Sequence, residues 1–103
     1  MRPDAQPAVY IMTNRKSGVL YTGVTSDLIG RAWQHRQKTS GFSARYRCDK
    51  LVWFEMHGDM YSAISREKQI KAGSRARKVA LIEAGNPEWR DLFSELTGKQ
   101  AGR

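Results

Sequence analysis

Cysteine, long apolar runs and acidic residues are scarce in this 103-residue chain. With a single cysteine, Cys48, it can form no internal disulfide and no thiolate metal cluster. No histidine with dyad character lies near Cys48 in sequence, so this residue reads as structural. The longest uninterrupted apolar run, Leu51-Val52-Trp53-Phe54, falls far short of the roughly 20 residues that a membrane-spanning helix needs. Met1-Arg2-Pro3-Asp4 is followed by nothing like the apolar stretch of a signal peptide. The expectation is a cytoplasmic protein with no membrane partner.

The shortage of acids is the most informative. Eighteen Lys and Arg against 10 Asp and Glu give a formal charge of +8, and the cations fall in two blocks. Arg36, Lys38, Arg45, Arg47 and Lys50 are interleaved with Phe42 and Tyr46; Arg66, Lys68, Lys71, Arg75, Arg77 and Lys78 surround the lone Glu67. Such blocks predict a polyanionic partner bound through its phosphates, with salt-sensitive and largely sequence-independent affinity. Neither block has the bulky apolar face that a basic membrane-surface helix needs. The candidate nucleic-acid contacts are Arg36, Lys38, Arg45 and Arg47 in the first block and Lys68, Lys71, Arg75 and Lys78 in the second. Phe42 and Tyr46 are candidates for stacking on bases or for the core.

At 40% apolar residues the chain has material for one compact domain, expected over residues 8–96, with loose ends at 1–7 and 97–103. Ala8–Thr13 and Gly18–Thr25 are β-rich runs around Asn14-Arg15-Lys16-Ser17, a turn of suitable composition. A hairpin closed there pairs Thr13 with Gly18 and sets Tyr10 opposite Tyr21. A helix capped by Thr25 or Ser26 runs from Asp27 to about Lys38, with Leu28, Ile29, Ala32 and Trp33 on its apolar side and Arg31 and His35 stacked on the other. Lys50–His57 reads as a middle strand covered on both faces. Asp59 caps a second helix to about Ala72 with Met60, Ala63, Ile64, Glu67 and Ile70 inward. Ser74 caps a third, and Asn86-Pro87 opens a short fourth with Trp89, Leu92, Phe93 and Leu96 inward. Trp33, Trp53 and Trp89 are assigned to the core. The order β-β-α-β-α-α-α predicts a small α/β or α+β layer structure. Glu67 is conspicuous: a carboxylate on the core side of a helix demands a cationic partner, whether Arg, Lys or a metal.

Val9-Tyr10-Ile11 followed by Tyr21-Thr22-Gly23, then Arg31 and His35 on one helix, Arg66-Glu67-Lys68 on a later one, and Asn86-Pro87-Glu88-Trp89 together resemble the GIY-YIG nuclease family over residues 8–93. The pattern is most similar to small stand-alone bacterial members. Val replaces the Gly of the first motif and Thr the Ile of the second, with both tyrosines retained. The resemblance implies a three-stranded antiparallel sheet flanked by helices. It further implies Mg²⁺ or Mn²⁺ dependence, and hydrolysis of DNA to 5′-phosphate and 3′-hydroxyl ends, in DNA repair or processing, with RNA as another possible substrate. Its catalytic set maps to Tyr10, Tyr21, Arg31, His35, Glu67 and Asn86.

The residue types suit that chemistry. Glu67 offers a hard oxygen ligand to a divalent metal, and a single protein carboxylate is normal for Mg²⁺. Arg31 presents a planar cation to the scissile phosphate. Tyr10, Tyr21 and His35 can position or deprotonate the attacking water, with the base left open among them, and Asn86 can cap its helix and hydrogen-bond nearby. A lone domain with no second recognition module implies a structure-selective or weakly specific endonuclease. The competing reading is a nucleic-acid-binding module that keeps the fold without turnover.

Overall fold

The computed structural model describes residues 6–37 and 47–101. Its elements are β1 (Ala8–Thr13), β2 (Leu20–Thr25), α1 (Leu28–Gln37), β3 (Lys50–Met56), α2 (Met60–Ala72), α3 (Arg75–Gly85) and α4 (Phe93–Ala101). The strands form one antiparallel sheet in the order β2-β1-β3, with helices on both faces, which is the α+β arrangement expected. The middle strand is β1, every residue of which is buried. The apolar centre of β3 suggested that position for β3, which instead lies at an edge. Its apolar character is explained by what covers that edge: Leu92 N donates to Leu51 O at 2.6 Å, and Asn86 Nδ2 donates to Val52 O at 3.1 Å.

Period-two alternation along β1 splits its side chains between two half-cores. Val9 and Ile11 join Val52, Ala63 and Ile70 of α2, Ile82 of α3, and Trp89 on one face. Ala8, Tyr10 and Met12 join Leu28 of α1, Cys48 and Leu51 on the other, with Leu92, Phe93 and Leu96 packed against them. Cys48 is fully buried, and burial, aided by Asp49, pushes its thiol up from the ordinary 9.0, as suits a structural cysteine.

Two helix starts follow their expected caps: Asp59 accepts from Ser62 N at 2.7 Å and Ser74 from Arg77 N at 3.2 Å. The cap of α1 is Asp27, not Thr25 or Ser26. Its Oδ1 accepts from Gly30 N at 3.2 Å, while Thr25 Oγ1 holds Asp27 N at 3.0 Å. In α2 the fully buried residues are Ala63 and Ile70, and Met60 and Ile64, expected inward, are exposed. Trp33, expected in the core, is 55% exposed, because the buried line of α1 runs through Leu28, Ala32 and His35 at spacings of four and three.

Asn86-Pro87 does not open the last helix. Asn86 Nδ2 also donates to Arg90 O at 2.8 Å and Asn86 Oδ1 accepts from Arg90 N at 2.9 Å, closing residues 86–90 into a clip. Within it Trp89 takes a left-handed φ of 58° and donates from Nε1 to Glu83 Oε2 at 2.8 Å. Asp91 then starts α4, its Oδ1 accepting from Phe93 N at 3.1 Å. That helix extends to Ala101, past residue 96, while Gln6 and Pro7 are tied to His57 by backbone and side-chain bonds. Among the described residues no helix is long and apolar enough to cross a membrane.

Asn86→Ala removes both arms of the clip and leaves the buried Val52 carbonyl without its donor and the Arg90 amide without its side-chain acceptor. The expected loss is about 2–4 kcal/mol of unfolding free energy in urea titrations. A change below about 0.5 kcal/mol contradicts the clip, since that is the range of neutral surface substitutions.

Candidate active site

The site is built from the hairpin outward. Asn14 Oδ1 accepts from Val19 N at 2.9 Å and Thr13 Oγ1 donates to Val19 O at 2.7 Å, so the loop closes over residues 14–19, with Ser17 at a φ of 60°. The register is therefore Thr13 to Leu20 and Tyr10 to Gly23, not Tyr10 to Tyr21. A shift of two residues preserves the face of every side chain. Tyr10 and Tyr21 thus remain on one face as diagonal neighbours, with ring centroids 6.3 Å apart.

Gly23 is the residue that sequence reasoning left without a role. A Cβ there would lie 2.4 Å from the Tyr10 hydroxyl oxygen and 2.5 Å from Cζ. The Tyr10 ring occupies the place of the missing side chain, and its quoted motif position was the only signal available in the sequence.

Over this ring lies α1. Its Arg31 and His35, one turn apart, face the sheet rather than the opposite side of the helix, and His35 is only 4% exposed. The Tyr10 hydroxyl accepts from Arg31 Nε at 3.2 Å and lies 3.1 Å from His35 Nε2. With Arg31 a permanent donor, the phenol proton is best used toward the imidazole nitrogen. Both tyrosine rings meet the His35 ring edge-on, at 5.6 Å from Tyr10 and 4.9 Å from Tyr21. Beside Tyr10, Tyr21 also helps to hold Arg31 protonated, and Arg31 Nη1 donates to Gln34 Oε1 at 3.0 Å. Gln34 is a second residue the sequence did not single out.

Burial pushes the Tyr10 phenol above its ordinary value of 10.0; the hydrogen bond and charge of Arg31 oppose that, and Tyr21 and Glu67 reinforce it. The Tyr10 bond in turn holds Arg31 more firmly protonated. Glu67, on α2, is thus near enough for its charge to act on Tyr10. The cationic partner that its position demanded is Lys71, whose Nζ lies 2.7 Å from Glu67 Oε2.

Asn86 does not join this cluster, because its amide is consumed by Val52 and Arg90. Several basic candidates likewise have intramolecular duties. Arg36 pairs with Asp91 and covers the Phe93 ring at 4.5 Å, Arg75 Nη2 donates to Ser17 O and Gly18 O at 3.0 and 2.8 Å, and Lys78 Nζ donates to Gly73 O at 3.0 Å. Arg47 and Lys68 are exposed, whereas Lys38, Arg45, Phe42 and Tyr46 lie outside the described residues.

The model of the GIY-YIG catalytic domain matches residues 6–80, which contain both tyrosines, Arg31, His35 and Glu67. The chain belongs to the GIY-YIG family. It is 38% identical over 74 residues to a UPF0213 protein of Staphylococcus saprophyticus, covering 68% of this chain and 87% of that one. A UPF0213 protein of Syntrophus aciditrophicus is 39% identical over 71 residues, covering 67% of this chain and 80% of that one. A third, from Aeromonas salmonicida, is 32% identical over 93 residues, covering 86% of this chain and 65% of the relative, just under two thirds. No solved structure matches significantly. The GIY-YIG domain is a nuclease domain, so nucleic acid is the substrate class.

In this member of the GIY-YIG family, Gly23→Ala is expected to displace Tyr10 and destabilise the fold by more than about 1 kcal/mol. Gly58→Ala, where a Cβ meets nothing within 4 Å, is expected to be near neutral. Equal melting points for the two variants contradict the close approach. Tyr10 also sets a pH limit. Its folded pKa is raised, so its contribution is fully present below the ordinary 10.0 and is lost as pH rises through the folded value. Unfolding titrations should show stability falling above about pH 10, with a shallower decline in Tyr10→Phe; identical slopes refute this.

Proposed function

We propose that the chain is a divalent-metal-dependent endonuclease that hydrolyses DNA phosphodiester bonds, structure-selective or weakly sequence-specific, with Tyr10 and His35 as a shared-proton base. The observation carrying this reading is the Tyr10 hydroxyl, held between Arg31 Nε and His35 Nε2 within 3.2 Å of each. A purely structural tyrosine needs neither a base nor a charged partner, because neutral groups satisfy its one donor and its lone pairs equally well. Two partners, one an acceptor with basic character and one a fixed cation, suit a phenol that gives up its proton.

In the proposed step the attacking water gives a proton to the Tyr10 oxygen as the phenol proton moves to His35 Nε2. The Arg31 guanidinium stabilises the phenolate character that develops meanwhile, which opposes the effect of burial on Tyr10. The remaining guanidinium donors of Arg31, together with Tyr21, orient a non-bridging phosphate oxygen. The water oxygen becomes bonded to phosphorus as the bond to the 3′ oxygen breaks, and the departing 3′ alkoxide takes a proton from solvent, leaving 5′-phosphate and 3′-hydroxyl ends.

The residues present fit a Mg²⁺ or Mn²⁺ ion at Glu67. Its carboxylate is 12% exposed, its charge reaches Tyr10, and its partner Lys71 sits on a flexible, exposed stem. The described residues hold no group of three or more His, Cys, Asp or Glu side chains able to grip a metal, which suits an ion that keeps most of its waters. When bound there, the ion would supply charge neutralisation at the phosphate and the departing oxygen. Exposed Arg47 and Lys68 are the strongest remaining candidates for phosphate contacts.

The test is cleavage of labelled duplex, flap, branched and single-stranded DNA, and of RNA, with Mg²⁺ or Mn²⁺, by the unaltered chain, Tyr10→Phe and Glu67→Gln. Cleavage of at least one DNA is expected, abolished by chelation and reduced about 100-fold or more in each folded variant. Binding without cleavage across the panel favours the non-catalytic module, and unimpaired cutting by either variant removes that residue from the mechanism.

A further inference from the structure

Glu67 and Lys71 are four residues apart on α2, and their side chains meet at 2.7 Å with unequal exposure, 12% for the glutamate and 55% for the lysine. A carboxylate so nearly enclosed requires a cation, while the exposed ammonium on its four-carbon stem is free to swing into water. Neighbouring cations do not compete for this task. Arg66 is bound to Glu55 at 3.1 Å and to Gln69 at 2.6 Å, and Lys68 is exposed.

We infer that Lys71 is the resident counter-ion of Glu67 and yields the carboxylate to a divalent cation when a nucleic-acid phosphate arrives to take the ammonium, so that metal uptake and substrate binding are coupled. The inference rests on the reading of Glu67 as the metal ligand. Its physics is competition. The ammonium occupies a carboxylate oxygen that a divalent ion needs, and the two cations repel one another when both crowd that group. An incoming phosphate offers Lys71 a second anion at the same end of α2. The exchange never leaves the enclosed carboxylate unpaired, because the divalent ion takes the place that the 55% exposed ammonium vacates. By linkage the coupling is reciprocal, so metal tightens nucleic-acid binding by the factor by which nucleic acid tightens metal binding. Without substrate, Lys71 keeps the site poorly charged with metal, which restrains adventitious hydrolysis.

The experiment measures Mn²⁺ binding from the free-ion electron paramagnetic resonance signal, without nucleic acid, for the unaltered chain, Lys71→Met, Lys71→Arg and Glu67→Gln, each shown folded by circular dichroism. Lys71→Met is expected to bind Mn²⁺ about two- to fivefold more tightly, the range for losing one exposed competing ion pair. Lys71→Arg should stay near the unaltered chain, and Glu67→Gln should lose the site. A phosphorothioate oligonucleotide that resists cleavage should then tighten Mn²⁺ binding more in the unaltered chain than in Lys71→Met. Unchanged, weaker or undetectable Mn²⁺ binding in Lys71→Met, or equal tightening by the oligonucleotide in both, overturns the coupling and leaves Glu67 as ligand if Glu67→Gln still loses metal. Mn²⁺ binding by Glu67→Gln equal to the unaltered chain instead overturns the underlying reading of Glu67.

Discussion

A phenol hydroxyl at the centre of a fully buried strand imposes the main constraint on this molecule. Tyr10 is 1% exposed, so its hydroxyl must find partners inside the protein or cost the fold several hydrogen bonds' worth of desolvation. Those partners, Arg31 and His35, both stand on α1, which must therefore cross the sheet directly over Tyr10. Gly23 is required on β2 for the same reason, because any side chain there would occupy the space of the ring. The need to satisfy one buried oxygen thus links the middle strand, its neighbour and the first helix, and the same contacts give that oxygen an imidazole nitrogen on one side and a guanidinium on the other.

Maintaining α1 in that position falls to elements remote from the chemistry. Its start is fixed by Asp27 over Thr25, and its last turn by Arg36, which pairs with Asp91 and lies over Phe93. Asp91 also takes the amides of Leu51 and Phe93, both at 3.1 Å, so one carboxylate joins α1, β3 and α4. Asn86 performs a comparable task one turn earlier, covering the outer edge of β3. The segment beyond residue 80, outside the matched domain model, closes the sheet edge and clamps the helix that bears Arg31 and His35.

Much of this was readable from sequence because it depends on local rules. Element order, two helix caps, the shared face of Tyr10 and Tyr21, and the demand of Glu67 for a cation all follow from spacing and residue type. The failures are tertiary. The hairpin register slipped by two because the Asn14 side chain extends the loop to Val19, which composition does not reveal. The apolar run of β3 marked coverage by loop and helix rather than a central position. Trp33 and His35 exchanged their expected environments, since an imidazole engaged with two tyrosines is less costly to bury than its polarity suggests. Charge was the least transferable signal, as Arg36, Arg75 and Lys78 serve the fold from within blocks that read as a binding surface.

The candidate site consequently combines an enclosed part with one that is open to solvent. Tyr10 and His35 are buried and Arg31 is hydrogen-bonded to Tyr10, whereas the Glu67–Lys71 pair opens to solvent on its lysine side. If Tyr10 and His35 act as one proton-sharing unit, as proposed, their contributions to cleavage are not independent. A double-mutant cycle on the cleavage rate tests it most directly, using Tyr10→Phe, His35→Ala and the double variant under single-turnover conditions. The double variant is expected to be impaired about as much as the worse single one, because either change alone disables the unit. Losses that multiply would show two independent contributions and contradict it.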